Sequence, residues 1–222
     1  MTARQGALAL DLPARMGRGD FVPSACNAAA LGLLGAPLPG GRLVLHGPEG
    51  SGKTHLGHIW TNARGAVALD GAALASADVP ALVARGAVWL DNAAHVAQTH
   101  AGQTALFHLL NLAQAHGAEV LMSARAPARD WAVALPDLAS RLGACAHVAL
   151  AAPDDALLAA VLAKLFADRQ VVVSDTLIPY LLPRMERSLA EAQRLVARLD
   201  AEALARGKPI GRALAAEVMQ PE

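Results

Sequence analysis

Gly47-Pro48-Glu49-Gly50-Ser51-Gly52-Lys53-Thr54 decides how the rest of this 222-residue chain is read. The stretch is Gly, four residues, Gly-Lys and a hydroxyl residue, the spacing of a phosphate-binding loop. Leu43-Val44-Leu45 ahead of it reads as a short buried strand, and His55 to Arg64 behind it reads as a helix. Strand, loop and helix therefore arrive in the order the motif needs. Glycines at 47, 50 and 52 let the backbone turn tightly, so that successive N–H groups face phosphate oxygens. The first turn of the helix adds unpaired N–H groups and a partial positive charge. In this reading Lys53 reaches the β- and γ-phosphates and the Thr54 hydroxyl holds Mg²⁺. Pro48, Glu49, Ser51 and His55 complete the set of positions lying along the nucleotide. The bland alternative is a glycine-rich turn with a chance Lys-Thr, and the flanking strand and helix weigh against it.

Outward from the loop, apolar strands alternate with helical segments. Ala66 to Leu69 reads as a second strand ending at Asp70, and Ala87-Val88-Trp89-Leu90 as a third ending at Asp91. Gln103 to Ala115 carries apolar residues at 106, 109, 110 and 113, which is helical spacing. Glu119 to Ser123 and Ala146 to Leu150 read as the fourth and fifth strands. Continuous apolar strands separated by helices predict a five-stranded parallel α/β sheet covered on both faces. Val88 and Trp89 belong to its core. Asn27 to Leu34 reads as a short helix before the first strand.

From Pro153-Asp154-Asp155 onward the pattern is helical, at about 154–168, 175–182 and 188–206, with Gly207 as a C-terminal glycine and a last helix over Gly211 to Met219. Three parts follow: an N-terminal arm over residues 1–20, an α/β nucleotide domain over 21–152, and a small all-α lid over 153–222.

Lys plus Arg (19) equals Asp plus Glu (19), and that neutral balance argues against unspecific wrapping of nucleic acid. Two cysteines, Cys26 and Cys145, have no metal spacing and read as small buried hydrophobes of a reducing compartment. No apolar run is long enough to span a membrane, so a cytoplasmic protein is expected. His55 and His58 share a helix face without further ligands at zinc spacing and read as helix-surface histidines.

Four positions carry the chemistry beyond the loop. Asp91 is the candidate second Mg²⁺ ligand, with Asp70 a rival better read as a helix cap. Asn92 stands where related ATPases often place a carboxylate. An amide orients water but does not take its proton, so weak intrinsic hydrolysis is expected. Ser123 at the end of the fourth strand reads equally as a group reaching the γ-phosphate or its attacking water and as an ordinary strand-end hydroxyl. Arg141, in Leu138-Ala139-Ser140-Arg141-Leu142, is by position alone either a solvated surface cation or an arginine finger for nucleotide on a neighbouring molecule.

The ordered set Gly47–Thr54, Leu90-Asp91-Asn92, Leu121-Met122-Ser123 and Leu135 to Leu142 resembles the AAA+ module of the DnaA/Hda family. Phe21-Val22, with Asn27 six residues on, resembles the segment lining that family's adenine pocket. DnaA itself continues into a helix-turn-helix domain with no counterpart expected in this sequence. The resemblance therefore points to the Hda-type members, which switch off DnaA by promoting hydrolysis of its ATP while attached to the DNA sliding clamp.

The family's clamp-binding hexapeptide has its likeness in Gln5-Gly6-Ala7-Leu8-Ala9-Leu10, with Gln5, Leu8 and Leu10 as anchors and Gly6 as a departure. The resemblance gives Arg141 the finger role, acting in trans on ATP held by DnaA. It implies ADP or ATP with Mg²⁺ as the chain's own ligands, seated between base and lid, and DnaA and the clamp as partners, with a homodimer also open. The family's phosphate-touching lid Arg falls on Ala190 here, and Arg187 one turn earlier is the substitute candidate. An AAA+ helicase loader and a self-assembling ATPase are the rival readings.

Overall fold

The alternation of strands and helices folds into one parallel sheet with helices on both faces. A computed structural model describes residues 17–220. In chain order its first unit runs through α1 (Ala28–Leu34), β1 (Arg42–His46), α2 (Lys53–Arg64), β2 (Val67–Asp70), α3 (Val79–Val83), β3 (Ala87–Asp91), α4 (His100–His116), β4 (Glu119–Ala124), α5 (Pro136–Gly143) and β5 (Ala146–Ala149). The strands lie in the order β2-β3-β4-β1-β5, and every neighbouring pair is parallel. The phosphate-loop strand β1 is thus flanked by β4 and β5. Both neighbours were visible in the sequence as apolar runs.

Period-2 alternation sorts the three central strands, β3, β4 and β1, between two cores. Val44, Val88, Leu90, Val120 and Met122 meet the apolar faces of α3, α4 and α5. Leu43, Leu45, Ala87, Trp89 and Leu121 meet α1 and α2 on the other side. Full burial on both faces explains why these strands read as unbroken apolar runs.

The strand ends differ from expectation by a residue or so: β1 gains Arg42 and His46, β4 gains Ala124, and β5 stops at Ala149. The short α3 and the 3₁₀ turns Gly71–Ser76 and Ala93–Gln98 were not foreseen, because five- and six-residue segments are too short to carry a legible period. Helix α4 begins at His100, three residues before the expected start, where the Thr99 hydroxyl accepts the Gly102 amide.

The chain separates into compact units between Ala152 and Pro153. The second unit holds α6 (Asp155–Asp168), α7 (Leu177–Leu181), α8 (Leu189–Arg206) and α9 (Arg212–Met219). Its core is formed by residues such as Leu158, Leu162, Phe166, Leu195 and Leu199. Asp154 caps α6 by accepting the Leu157 amide at 2.7 Å, which places Pro153 just outside the helix. Gly207 ends α8 in the left-handed conformation that favours glycine. The expected 175–182 helix is shorter than predicted and continues as a 3₁₀ turn over Leu182–Arg184, where Pro183 supplies no amide hydrogen. Among the described residues no helix is long and apolar enough to cross a membrane.

Candidate functional site

The loop 47–52 joins the end of β1 to the start of α2. Gly47 donates to the Ala124 carbonyl at 3.2 Å, and Leu150 donates to the His46 carbonyl at 2.7 Å, so both neighbouring strands pin the loop's entry. A Cβ at Gly47 would lie 2.4 Å from the Leu150 carbonyl oxygen, an approach only glycine allows. Gly50 and Gly52 have φ of 70° and 96°, outside the range of ordinary side chains. Ser51 is buried beneath the turn. The Lys53 ammonium donates to the carbonyls of Gly47 (2.8 Å) and Pro48 (2.6 Å). Burial lowers its pKa, Arg125 adds to the lowering, and Asp91 opposes it. Arg125, which follows β4, pairs with Glu49 of the loop at 2.7 Å. Sequence reasoning missed that cation, which has no fixed spacing from the motif.

Asp91 ends β3 beside this loop. Its Oδ2 accepts the Thr54 hydroxyl at 3.2 Å, so the two expected metal-binding side chains are in contact. Two adjacent hard oxygen donors, one from the first turn of α2 and one from the end of β3, suit Mg²⁺, which is commonly held by one or two protein oxygens while water and phosphate complete the shell. Bound there, Mg²⁺ would neutralise phosphate charge. Among the described residues there is no cluster of three or more His, Cys, Asp or Glu side chains that could hold a metal.

The other Asp91 oxygen accepts the Ser123 hydroxyl (2.5 Å) and the Asn92 amide (3.0 Å). Ser123 in turn accepts the Trp89 indole N–H at 3.0 Å and is fully buried. This corrects one of its two readings: the hydroxyl faces inward and orients Asp91 instead of meeting a phosphate or its attacking water. Trp89 is core, as read, and it is a member of this relay as well. Its ring passes so close to α2 that a Cβ at Gly57 would lie 2.1 Å from it.

Asn92 adopts a left-handed backbone (φ 50°), and its side-chain amide donates to Asp70 at 2.7 Å. Asp70 also caps the following turn through Ala72 at 2.9 Å. The Asn92 hydrogen bond is the main reason its carboxyl sits below the ordinary range, aided by Ala72 and His95 and opposed by burial. Gly71 lets the two strand-end loops approach, since a Cβ there would lie 2.6 Å from the Asn92 carbonyl. Asp70 is thus the cap that sequence suggested, and also an anchor for Asn92 that it did not.

Before α1, buried Asn27 donates to the Val22 carbonyl (3.0 Å) and accepts the Ser24 amide (2.9 Å), tying residues 22–27 into a tight loop. Phe21 sets the edge-to-face contact with His55, ring centroids 5.3 Å apart. Phe21 is therefore held at the first turn of α2, with Val22 next to it in the chain. His58 packs on Trp89 with centroids 5.0 Å apart. Both histidines are half-buried against aromatic rings, which corrects their reading as plain helix-surface residues.

Arg141 lies in the last turn of α5 and is half-buried. Its guanidinium donates to Gln114 at 3.4 Å and stands 5.3 Å from the Phe107 ring centroid, both on α4. Gln114 also accepts Arg42, the first residue of β1, at 3.2 Å. Arg141 therefore sits beside the start of β1, whereas the phosphate loop follows its end. Four strand steps, about 13 Å, separate the two ends. The segment entering α5 is held by buried Gln103, whose Oε1 accepts the amides of Ala134 (2.9 Å) and Leu135 (3.1 Å). A glutamine on the buried stripe of α4 was the available sequence signal for that clamp.

In the helical unit, Arg187 lies just before the Ser188 N-cap of α8 and pairs with Asp155 at 2.5 Å. Both side chains are exposed, and such pairs are readily exchanged for other partners. Ala190 is an exposed residue of the first turn of α8. Gln5, Leu8 and Leu10 lie outside the described residues.

No protein-family model matches the sequence, and no curated protein matches it. Solved structures do. Domain III of the replication initiation protein DnaA from Thermotoga maritima superposes with a TM-score of 0.77 at 16% identity, covering 95% of this chain and 99% of that one. AMPPCP-bound DnaA from Aquifex aeolicus gives 0.68 at 16% identity over 81% of this chain and 63% of its own length. The Thermotoga maritima RuvB Holliday junction branch migration motor gives 0.66 at 19% identity over 86% and 64%. At such identities the likeness carries the fold. The chain has the AAA+ architecture of DnaA domain III and RuvB: a five-stranded parallel sheet with flanking helices, followed by a helical part.

Proposed function

We propose that this chain is a DnaA-related AAA+ regulator of replication initiation that binds adenine nucleotide at Gly47–Thr54 and promotes hydrolysis of ATP held by DnaA. The observation that carries the reading is the placement of Arg141 beside the start of β1, away from the chain's own phosphate loop. From there its guanidinium is suited to phosphates on another molecule. An arginine supplied in trans stabilises charge on the transferring phosphoryl group and raises the rate on the order of 10³–10⁵.

The chain's own loop supports binding more than turnover. Lys53 and the amides of 50–54 would hold the phosphates, Thr54 and Asp91 the Mg²⁺, and Phe21, Val22 and His55 would flank the base. Asn92 is bonded to Asp70 and offers no basic group to a water. The AMPPCP carried by the Aquifex aeolicus DnaA structure supports an adenine nucleotide as the ligand. Arg187, in place of the family Arg that Ala190 lacks, would add a lid cation to the same nucleotide. Residues Gln5, Leu8 and Leu10 would tether the protein to the DNA sliding clamp, the Hda-type arrangement.

The test is hydrolysis of DnaA-bound ATP with and without this protein and clamp-loaded DNA. Strong stimulation, dependent on the clamp and on Gln5 and Leu8, supports the reading. No stimulation, together with rapid ATP turnover by the purified protein alone, would assign it instead to the self-assembling ATPases.

A further inference from the structure

We propose that Arg42 is a second cation of the arginine-finger site and that Gln114 holds the two guanidiniums together, so that the pair rather than Arg141 alone receives the partner's triphosphate. The proposal rests on the reading of Arg141 as a finger acting in trans.

Three observations meet here. First, Arg42 comes from the start of β1 and Arg141 from the end of α5, yet both donate to the same Gln114 oxygen, at 3.2 and 3.4 Å. One amide oxygen accepting both brings two like charges close together, an arrangement that opposes itself unless an anion completes it. Second, among the described residues neither guanidinium has an ion pair within 4.0 Å. Third, an open hollow of about 560 Å³ is lined by Arg42, Phe107, Gln114, Asp137, Ser140 and Arg141. Two cations face one carboxylate, so the hollow keeps a positive excess.

The parts have distinct roles. Phe107 lies 5.3 Å below the Arg141 guanidinium and limits its travel toward α4. The Gln114 amide fixes one edge of each guanidinium and leaves the remaining N–H donors of both for oxygens in the hollow. A triphosphate presents several anionic oxygens along a short chain, which suits two guanidiniums better than one. Arg141 would meet the transferring phosphoryl group and Arg42 a neighbouring phosphate. In that arrangement Gln114 is a positioning residue, because it acts only through the arginines.

The experiment titrates the full-length protein, with clamp-loaded DNA, against DnaA preloaded with ATP, and reads the maximum stimulated rate and the half-saturating concentration separately. Four variants are compared: Arg42→Ala, Arg42→Lys, Gln114→Leu and Arg141→Ala. Each is first shown to melt with the wild type and to bind ADP equally. The expected result is a maximum rate about tenfold lower for Arg42→Ala, partly restored in Arg42→Lys, with half-saturation within about twofold of wild type. Gln114→Leu should lower the maximum in the same way. If Gln114→Leu fails to fold, the two Arg42 variants carry the test.

Wild-type rates for both Arg42 variants, with Arg141→Ala inactive, overturn this proposal and leave the finger reading standing. Full stimulation by Arg141→Ala overturns the finger reading itself. A changed half-saturation with an unchanged maximum would make Arg42 a mere interface contact and also overturn the proposal. So would weaker binding of a single-stranded oligonucleotide by Arg42→Ala with stimulation unchanged.

Discussion

The two ends of β1 present opposite chemistry. At its C-terminal end the backbone dominates, with glycines at 47, 50 and 52, a folded-over Lys53, and an acid, Asp91, that Thr54, Ser123 and the Asn92 amide all hydrogen-bond. At its N-terminal end the features are side chains, two guanidiniums drawn to one glutamine. In the proposed function the first end holds a nucleotide and a metal ion, but its one candidate for aligning water is bonded away to Asp70. The second would, in the proposed role, stabilise developing negative charge, and it stands about four strand steps from the chain's own phosphate loop. Under the proposed function, binding and transition-state stabilisation would be separated within one fold. A pair of molecules, each presenting a different end, would reunite them.

Removing the cation should break this contrast most severely. Arg141→Ala is expected to cut stimulated hydrolysis on the order of 10³-fold or more while leaving nucleotide binding at Lys53 unchanged, measured by single-turnover hydrolysis and fluorescent-ADP titration. The converse change would give the first end what it lacks. Asn92→Glu combined with Asp70→Asn supplies a carboxylate and releases it from repulsion by Asp70. Intrinsic ATP turnover should rise roughly 100-fold, within the range of a positioned general base, and an unchanged rate would show that more than the base is missing. Lys53→Met removes charge-assisted hydrogen bonds to phosphate and should weaken ATP binding by about 10- to 100-fold, without lowering stimulated DnaA hydrolysis once nucleotide is saturating.

A smaller effect tests the support of Asp91. Gly57→Ala would force a methyl against the Trp89 ring, costing about 1–3 kcal/mol of stability in denaturant melts and disturbing the relay through Ser123. The smallest concerns acid. The Asp70 carboxyl is held below its ordinary value in the folded chain, chiefly by Asn92. Its contribution is therefore present above the unfolded-state pKa and is lost as pH falls through the folded one. The stability difference between wild type and Asp70→Asn should shrink below about pH 4. A difference that grows on acidification would contradict the assigned direction.

What was legible in the sequence was whatever depends on local spacing. The loop 47–54, the five strands, Asp91 and the helical run after 153 all announce themselves through motif or period. What was not legible depends on which strand ends meet. Asp70 and Asn92 are 22 positions apart, and only the parallel pairing of β2 with β3 brings their loops together. Arg42, Gln114 and Arg141 come from three elements whose adjacency follows from the strand order, not from any residue pattern. Ser123 was ambiguous for the same reason. A hydroxyl at a strand end reads identically whether it faces a ligand or a neighbouring tryptophan, and here Trp89 on the adjacent strand decides it.

The most direct test loads labelled ATP on only one partner at a time. With label on DnaA and ADP on this protein, mixing with clamp-loaded DNA should release labelled phosphate rapidly. With label on this protein and ADP on DnaA, release should stay near the level of the protein alone. Rapid release from this protein's own loop, with DnaA's ATP untouched, would contradict the account.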